Sequence, residues 1–329
     1  MAFSDKKVLV TGATGFVGRA LCKELLKRGF QVRAAVRSPD QMFAEAETVV
    51  VGHVDAHTDW LTALHGVVMV IHLAARVHVM KDVAADPLAA FLEVNLHGTE
   101  NLARQAAQAG VKRLVYVSSI KVNGEGTSDV IPFLESDEPH PHDPYGVSKW
   151  RAEQALHQIA QETNLEIVIV RPPLVYGPGV KGNFISLLTA IHKGFPLPLA
   201  GACNLRSLVY VGNLVDALIV CARHPTAKGQ TYLVSDGEAV STAQLVNKIA
   251  AALGCKNRSF YFPPSLIAFA GMKLGRSAQV DRLFGSLRVN DQKIRSELDW
   301  HPPFTLEQGL RVTADWYVAQ HIGYNRTTS

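Results

Sequence analysis

The 329-residue chain is short of several things, and each shortage narrows its chemistry. It has only 4 cysteines, Cys22, Cys203, Cys221 and Cys255, widely scattered and without a Cys-x-x-Cys pair. They argue against a disulfide frame or a thiolate metal centre and read as small buried hydrophobes in a reducing compartment. None of the 13 histidines falls in a His-Glu-x-x-His pattern, so no metal site is expected. No apolar run approaches the ~20 residues of a membrane span. The formal net charge is only +4, spread without basic blocks, so nucleic acid is not an expected partner. A strand-like run begins at Lys7 with no leader pattern ahead of it, so a cytoplasmic protein is expected. Internal repeats and low-complexity linkers are also missing.

What the chain does have is apolar content, 47% of residues, enough to fill one large or two modest domains. Lys7–Thr11 is a short β-rich run, as a buried parallel strand would be. Gly12-Ala13-Thr14-Gly15-Phe16-Val17-Gly18 follows, and Arg19–Arg28 then shows helical apolar spacing, with Gly29 placed to stop it. Strand, glycine turn and helix form a phosphate cradle: glycines allow the tight turn and bring backbone N–H groups to a pyrophosphate at a positive helix end. The spacing is Gly-x-x-Gly-x-x-Gly rather than the commoner Gly-x-Gly-x-x-Gly. A second strand, Gln31–Arg37, ends in Val36-Arg37, where an NAD enzyme usually carries an acid for the ribose hydroxyls. Arg37 suits a 2′-phosphate and leans the reading towards NADP(H), with NAD(H) possible; as an ordinary strand-end charge it would say nothing.

Further strands are expected at Thr48–Val54, Val67–Ala75, Arg113–Ser119, Glu166–Arg171, Arg206–Val211 and Thr231–Val234. Ala74 and Ala75 are small enough for a cofactor to lie against, or simply pack in the core. Helices are expected near Pro87–Leu96 and Thr99–Ala109, with Asn95 either a buried polar link or a surface residue. Segment 124–144 reads as a loop, and Arg171–Gly179 breaks regular structure. Ser241 and Gln244 resemble a capping box opening a helix to Leu253. Pro263–Leu274 is an apolar stretch of about three turns. Tyr145 and Lys149 are four apart and therefore share a helix face. An ammonium beside a phenol favours phenolate, which would let Tyr145 exchange a proton near neutral pH. Ser119, at a strand end, falls where ligands of doubly wound sheets bind.

These motifs occur in a fixed order: Thr11–Gly18, His72-Leu73-Ala74-Ala75, Asn95-x-x-Gly98-Thr99, Val117-Ser118-Ser119, Tyr145-x-x-x-Lys149, Arg171-Pro172 and Val175-Tyr176-Gly177-Pro178. Together they resemble the extended short-chain dehydrogenase/reductase family, in its nucleotide-sugar epimerase/dehydratase branch. The resemblance implies an α/β fold: a doubly wound parallel Rossmann sheet of seven strands with a smaller C-terminal substrate domain. The dinucleotide domain would take residues 1–175 and a returning segment at about 207–224; residues 176–206 and 225–329 would form the substrate domain. It implies a catalytic set of Ser119, Tyr145 and Lys149. Its cofactor contacts would be Gly12, Thr14, Gly15, Phe16, Val17, Gly18 and Arg37, then His53, Val54, Leu73, Ala74 and Ala75. Val117, Tyr145, Lys149, Pro172 and Val175 would complete them. Arg206 and Asn183 would meet the substrate's diphosphate, with Arg282 a further candidate, and His78 and Lys121 would reach the sugar. A homodimer through helices near Phe91–Ala109 and Arg151–Glu162 is also expected.

Departures within the branch sharpen the expectation. The 4,6-dehydratases carry Asp-Glu after the catalytic threonine, whereas Ser119 is followed here by Ile120-Lys121. UDP-galactose 4-epimerases usually have an acidic end to the second strand and an Asn where Leu174 stands. The stretch Ser118–Glu125, with Arg288–Ile294 and Trp316-Tyr317, looks like bacterial O-antigen enzymes that reduce UDP-4-keto-6-deoxy-N-acetylhexosamines, as in making UDP-N-acetylquinovosamine. The expected activity is therefore a 4-keto reductase of a UDP-sugar, with a UDP-sugar 4-epimerase holding NAD tightly as the alternative.

Overall fold

The computed structural model describes residues 6–41, 43, 46–77, 86–128, 131–263, 267, 273 and 284–325, the last five by backbone alone. His78, Arg282 and most of the Pro263–Leu274 stretch lie outside the described residues.

Alternation along β1 (Lys7–Thr11) explains the layering. Successive strand side chains point to opposite faces. Val8 and Val10 accordingly enter one apolar cluster, with Leu21, Cys22 and Leu25 of helix α1 (Phe16–Lys27). Leu9 enters the other, with Trp60, Leu64, Leu102 and Leu114. The same split recurs in β5 (Arg113–Val117) and β6 (Glu166–Arg171): Val115, Val168 and Val170 lie on the first side, Leu114, Tyr116, Ile167 and Ile169 on the second. Strands buried on both faces need helices on both faces, and that is a doubly wound sheet.

The remaining strands are β2 (Gln31–Val36), β3 (Glu47–Val50), β4 (Val67–His72), β7 (Leu174–Tyr176), β8 (Leu205–Tyr210), β9 (Thr231–Leu233) and β10 (Ala239–Ser241). Seven of the ten described strands form one sheet in the order β3-β2-β1-β4-β5-β6-β9, every pair parallel. The order reverses between β1 and β4, which opens a crevice at their carboxyl ends. A second sheet, β10-β8-β7, pairs β8 antiparallel with β10 and parallel with β7. Its Leu208, Val209 and Val240 continue the first apolar cluster, joined by Val246 and Leu310.

The helices after α1 are α2 (Leu61–Leu64), α3 (Pro87–Leu92), α4 (Gly98–Gln108), α5 (Pro144–Glu162), α6 (Asn183–His192), α7 (Val211–Arg223), α8 (Thr242–Ala252), α9 (Gln292–Leu298) and α10 (Leu306–Asn325). Among the described residues no helix is long and apolar enough to cross a membrane. A π-helical turn, Glu93–His97, joins α3 to α4. It carries Asn95, which is fully buried and therefore the polar link, not the surface residue. Asn95 Oδ1 accepts from Arg76 N at 2.8 Å, and its amide donates to Arg76 O at 3.0 Å and Ser148 Oγ at 2.9 Å.

Several expectations need correcting. Strands β4 and β5 stop at His72 and Val117, so Ala74, Ala75 and Ser119 follow their strands instead of ending them. Leu174–Tyr176, within the stretch expected to be irregular, is β7, because its backbone pairs with β8. Of the cysteines, only Cys22 and Cys221 are buried; Cys203 is exposed and Cys255 intermediate.

Candidate active site

A cavity of about 870 Å³ lies at the carboxyl ends of β1, β2, β4 and β5, in the crevice where the strand order reverses. Every residue named above for the dinucleotide lines it, from Gly12 to Val175. At one end is the glycine turn. Gly12 has φ +65°, and a Cβ there would lie 2.8 Å from Ala74 N. A Cβ at Gly18 would lie 2.2 Å from Gly12 O. Side chains are thus excluded where turn, helix and β4 end meet, which leaves the backbone open to a ligand. The first-turn N–H groups of α1 have no acceptor within the helix, and the helix dipole makes that end positive. These residues fit the pyrophosphate of a dinucleotide. Arg37 and Lys181 also line the cavity.

The floor under this end is locked by His72, which is fully buried and held to a pKa of about 3 by that burial and by the Lys149 charge. Thr11 Oγ1 accepts from the N–H groups of Leu73 (3.2 Å) and Ala74 (3.1 Å), so its own proton goes to His72 Nδ1 at 2.6 Å. That leaves His72 Nε2–H to donate to Thr99 Oγ1 at 2.9 Å. The chain ties β1, β4 and α4 into one support and fixes the Leu73–Ala75 backbone.

At the other end stand Ser119, Tyr145 and Lys149. Helix α5 begins directly before Tyr145 because Asp143 caps it, accepting from Gly146 N at 2.7 Å, with Pro144 at its first turn. The Ser119 hydroxyl, on an extended residue two positions beyond β5, accepts from Lys121 N at 3.3 Å and lies near enough to the Tyr145 phenol to lower its pKa. Lys149 Nζ donates to Val117 O at 2.8 Å and lies 4.5 Å from the Tyr116 ring centroid and 5.9 Å from that of Tyr145.

The expectation that Lys149 makes Tyr145 acidic is corrected here. Desolvation and the nearby Asp143 charge raise the phenol to about 12, with the Ser119 hydrogen bond pulling the other way. Burial lowers Lys149 to about 7, with Glu153 opposing. In this state the phenol holds its proton firmly, and it is the amine that titrates near neutrality.

Of the residues expected at the sugar and diphosphate, Lys121, Arg206 and Asn183 do not line this cavity. Lys121 Nζ is engaged by Glu125 at 2.9 Å and by Asp143, outside the cavity lining. Arg206 Nη1 donates to Gly285 O at 2.9 Å, and Asn183 opens α6; neither lines the cavity. Sequence reasoning missed Glu153, fully buried on the Tyr145–Lys149 face of α5, and its partner Arg171. Their signal was available: an acid one turn beyond Lys149, on the same helix face.

The profile of the NAD dependent epimerase/dehydratase family matches residues 8–235. A UDP-glucose 4-epimerase of Vibrio cholerae is 45% identical over 319 residues, spanning 95% of this chain and 96% of that protein. The structure of MoeE5 in complex with UDP-glucuronic acid and NAD is 28% identical, with TM-score 0.75, covering 95% of this chain and 99% of that one. The UDP-glucose 4-epimerase of Thermotoga maritima, solved with UDP-glucose, has TM-score 0.79 at 23% identity, covering 96% of this chain and 99% of the other, and likens the fold alone.

Proposed function

The chain belongs to the NAD-dependent epimerase/dehydratase family, and on that premise we propose that it is a 4-epimerase of UDP-linked hexoses that keeps its NAD between turnovers. The observation that carries the reading is that Ser119, Tyr145 and Lys149 converge at one end of the cavity whose other end is the glycine turn. The likeness to the Vibrio cholerae enzyme, and a family neighbour that binds NAD with UDP-sugars, support the same substrate class.

A bound oxidised nicotinamide dinucleotide supplies reversible hydride acceptance and a positive ring charge. Gly12, Gly15 and the first turn of α1 would hold its pyrophosphate, and Ala74 and Ala75 would leave room against the end of β4. Tyr145, ionised to phenolate beside that positive ring and the Lys149 ammonium, takes the proton of the sugar's carbon-4 hydroxyl and returns it to the ketone oxygen once the ketone has turned its other face. Ser119 hydrogen-bonds that oxygen as its charge changes. Lys149, in its ammonium form, stabilises the phenolate that Tyr145 becomes. The second sheet, with α6, α8 and α10, would provide the substrate side, while β9, expected there from the sequence, pairs with β6 in the dinucleotide sheet.

The 4-keto reductase expected from the sequence is the second reading, and its support is Arg37, which lines the cavity at the end of β2 where a 2′-phosphate would lie. The two separate cleanly. Purified protein mixed with UDP-galactose and no added cofactor forms UDP-glucose if it is an epimerase, and Tyr145→Phe stops the conversion. Stoichiometric use of NADPH with a UDP-4-keto-6-deoxy sugar, and no interconversion, would instead establish the reductase.

A further inference from the structure

One buried carboxylate behind the cavity joins three elements. Glu153, on α5, is fully buried, and Arg171, at the end of β6, is 4% exposed. Arg171 Nε and Nη2 donate to the two carboxylate oxygens at 3.0 and 2.5 Å, a forked pair. Ser118 Oγ, just beyond β5, donates to the same carboxylate at 2.5 Å. Arg171 Nη1 reaches on to Asn123 Oδ1 at 3.0 Å, and Asn123 Nδ2 to Leu134 O at 2.8 Å. The backbone repeats the tie: Ser118 N donates to Val170 O at 2.8 Å and Ile120 N to Pro172 O at 3.0 Å, on either side of Ser119. In extended chain, neighbouring side chains point to opposite faces. With Ser118 drawn inward onto Glu153, Ser119 is turned outward to the cavity.

We propose that Glu153 is a positioning residue for the reacting pair: by clamping Ser118 and Arg171 to α5, it holds Ser119 and Tyr145, which sit on different elements, together at the cavity wall. The inference rests on the carbonyl–alcohol reading of that pair. The carboxylate acts on Lys149 as well, one turn before it on the helix. Lys149 is faced by Tyr145 and Glu153 from α5, Tyr116 from β5, His72 from β4 and, through the carboxylate, Arg171 from β6. Burial keeps Tyr116, Tyr145 and His72 neutral around neutral pH. Among these groups Glu153 is then the one anion beside two buried cations, and without it the ammonium of Lys149 loses its support.

The test compares Glu153→Gln and Ser118→Ala with wild type by steady-state kinetics across pH, thermal melting, and ultraviolet titration of the Tyr145 phenol, with Tyr145→Phe as the blank. Glu153→Gln lowers kcat ~100-fold with KM within ~threefold, because the loss is one of alignment. It also moves the alkaline limb of kcat towards acid by about one pH unit, as Lys149 gives up its proton earlier. Loss of stability alone would move neither. Glu153→Gln leaves a buried guanidinium without its counter-charge and can fail to fold. Ser118→Ala keeps the ion pair and loses only the tie to β5. It melts near wild type, lowers kcat ~10-fold with the limb in place, and titrates Tyr145 at higher pH as Ser119, which lowers the phenol's pKa, moves away. A folded Glu153→Gln with the wild-type pH profile, or Ser118→Ala with wild-type kcat and phenol titration, overturns the inference. If wild type interconverts no UDP-hexose, the functional reading falls, and the phenol titration of Ser118→Ala still decides the positioning claim.

Discussion

Gly18→Ala is the smallest change that reaches the cofactor cradle without touching a reacting group. The new Cβ would lie 2.2 Å from Gly12 O and 2.8 Å from both the carbonyl carbon and the Cα of Ala13. A carbon against a carbonyl oxygen settles at roughly 3.3 Å, so turn and helix must part by about 1 Å. All three obstacles are backbone of the turn itself, and no flexible side chain can give way. Overpacking of this kind costs about 1–3 kcal/mol of stability. A displacement of about 1 Å at a positioning element costs on the order of 100-fold in the function it supports, here retention of NAD. Gly29→Ala is the control. Gly29 ends α1 with φ +80° and nothing within 4 Å of its would-be Cβ, so only the left-handed backbone resists. That costs about 1–2 kcal/mol. Thermal melting should find the two variants comparably destabilised, while calorimetric titration with NAD finds binding lost only in Gly18→Ala. Equal NAD affinity in Gly18→Ala and wild type, or an equal loss in Gly29→Ala, would refute the cradle argument.

Other consequences concern charge and capping. Burial lowers Lys149 from 10.5 to about 7, so between those values the unfolded chain holds one more proton than the folded one and stability rises with pH. The cost of burying the amine is full below about pH 7, and above it the unfolding free energy of wild type should rise relative to that of Lys149→Met by up to about 1.4 kcal/mol per pH unit; parallel pH dependences of the two in urea denaturation from neutral to mildly alkaline pH would contradict this. Ser241 caps α8 reciprocally with Gln244, at 3.0 and 2.8 Å. Ser241→Ala should cost about 1 kcal/mol in urea denaturation with interconversion unchanged, and an unaltered midpoint would show the cap to be idle.

Strand composition made β1, β4, β5 and β6 legible in advance because they are buried on both faces and read as near-continuous apolar runs; the count of seven came from the family resemblance. The glycine turn was legible for a similar reason: its spacing is dictated by backbone collisions such as that of Gly18 with Gly12 O. Strands β7 and β10 have three residues each and take their identity from pairing with β8, a long-range fact that no local window contains. Lys121 illustrates the limit for single charges. The family resemblance put it near the sugar, and the partner it meets here, Asp143, is 22 positions away, beyond any local window. The state of Tyr145 was hidden too, because helical spacing brings Lys149 alongside but says nothing of the burial that raises the phenol and lowers the amine.

The central claim is that one hydrogen leaves carbon 4 of a UDP-hexose and the same hydrogen comes back, with Tyr145 moving only the hydroxyl proton. Interconversion of UDP-galactose and UDP-glucose by the purified protein in deuterium oxide, without added cofactor and read by proton magnetic resonance, tests it directly. The account predicts that epimerised product forms with no deuterium bound to carbon 4. Deuterium at carbon 4, or product that appears only in step with consumed NADPH, would contradict it.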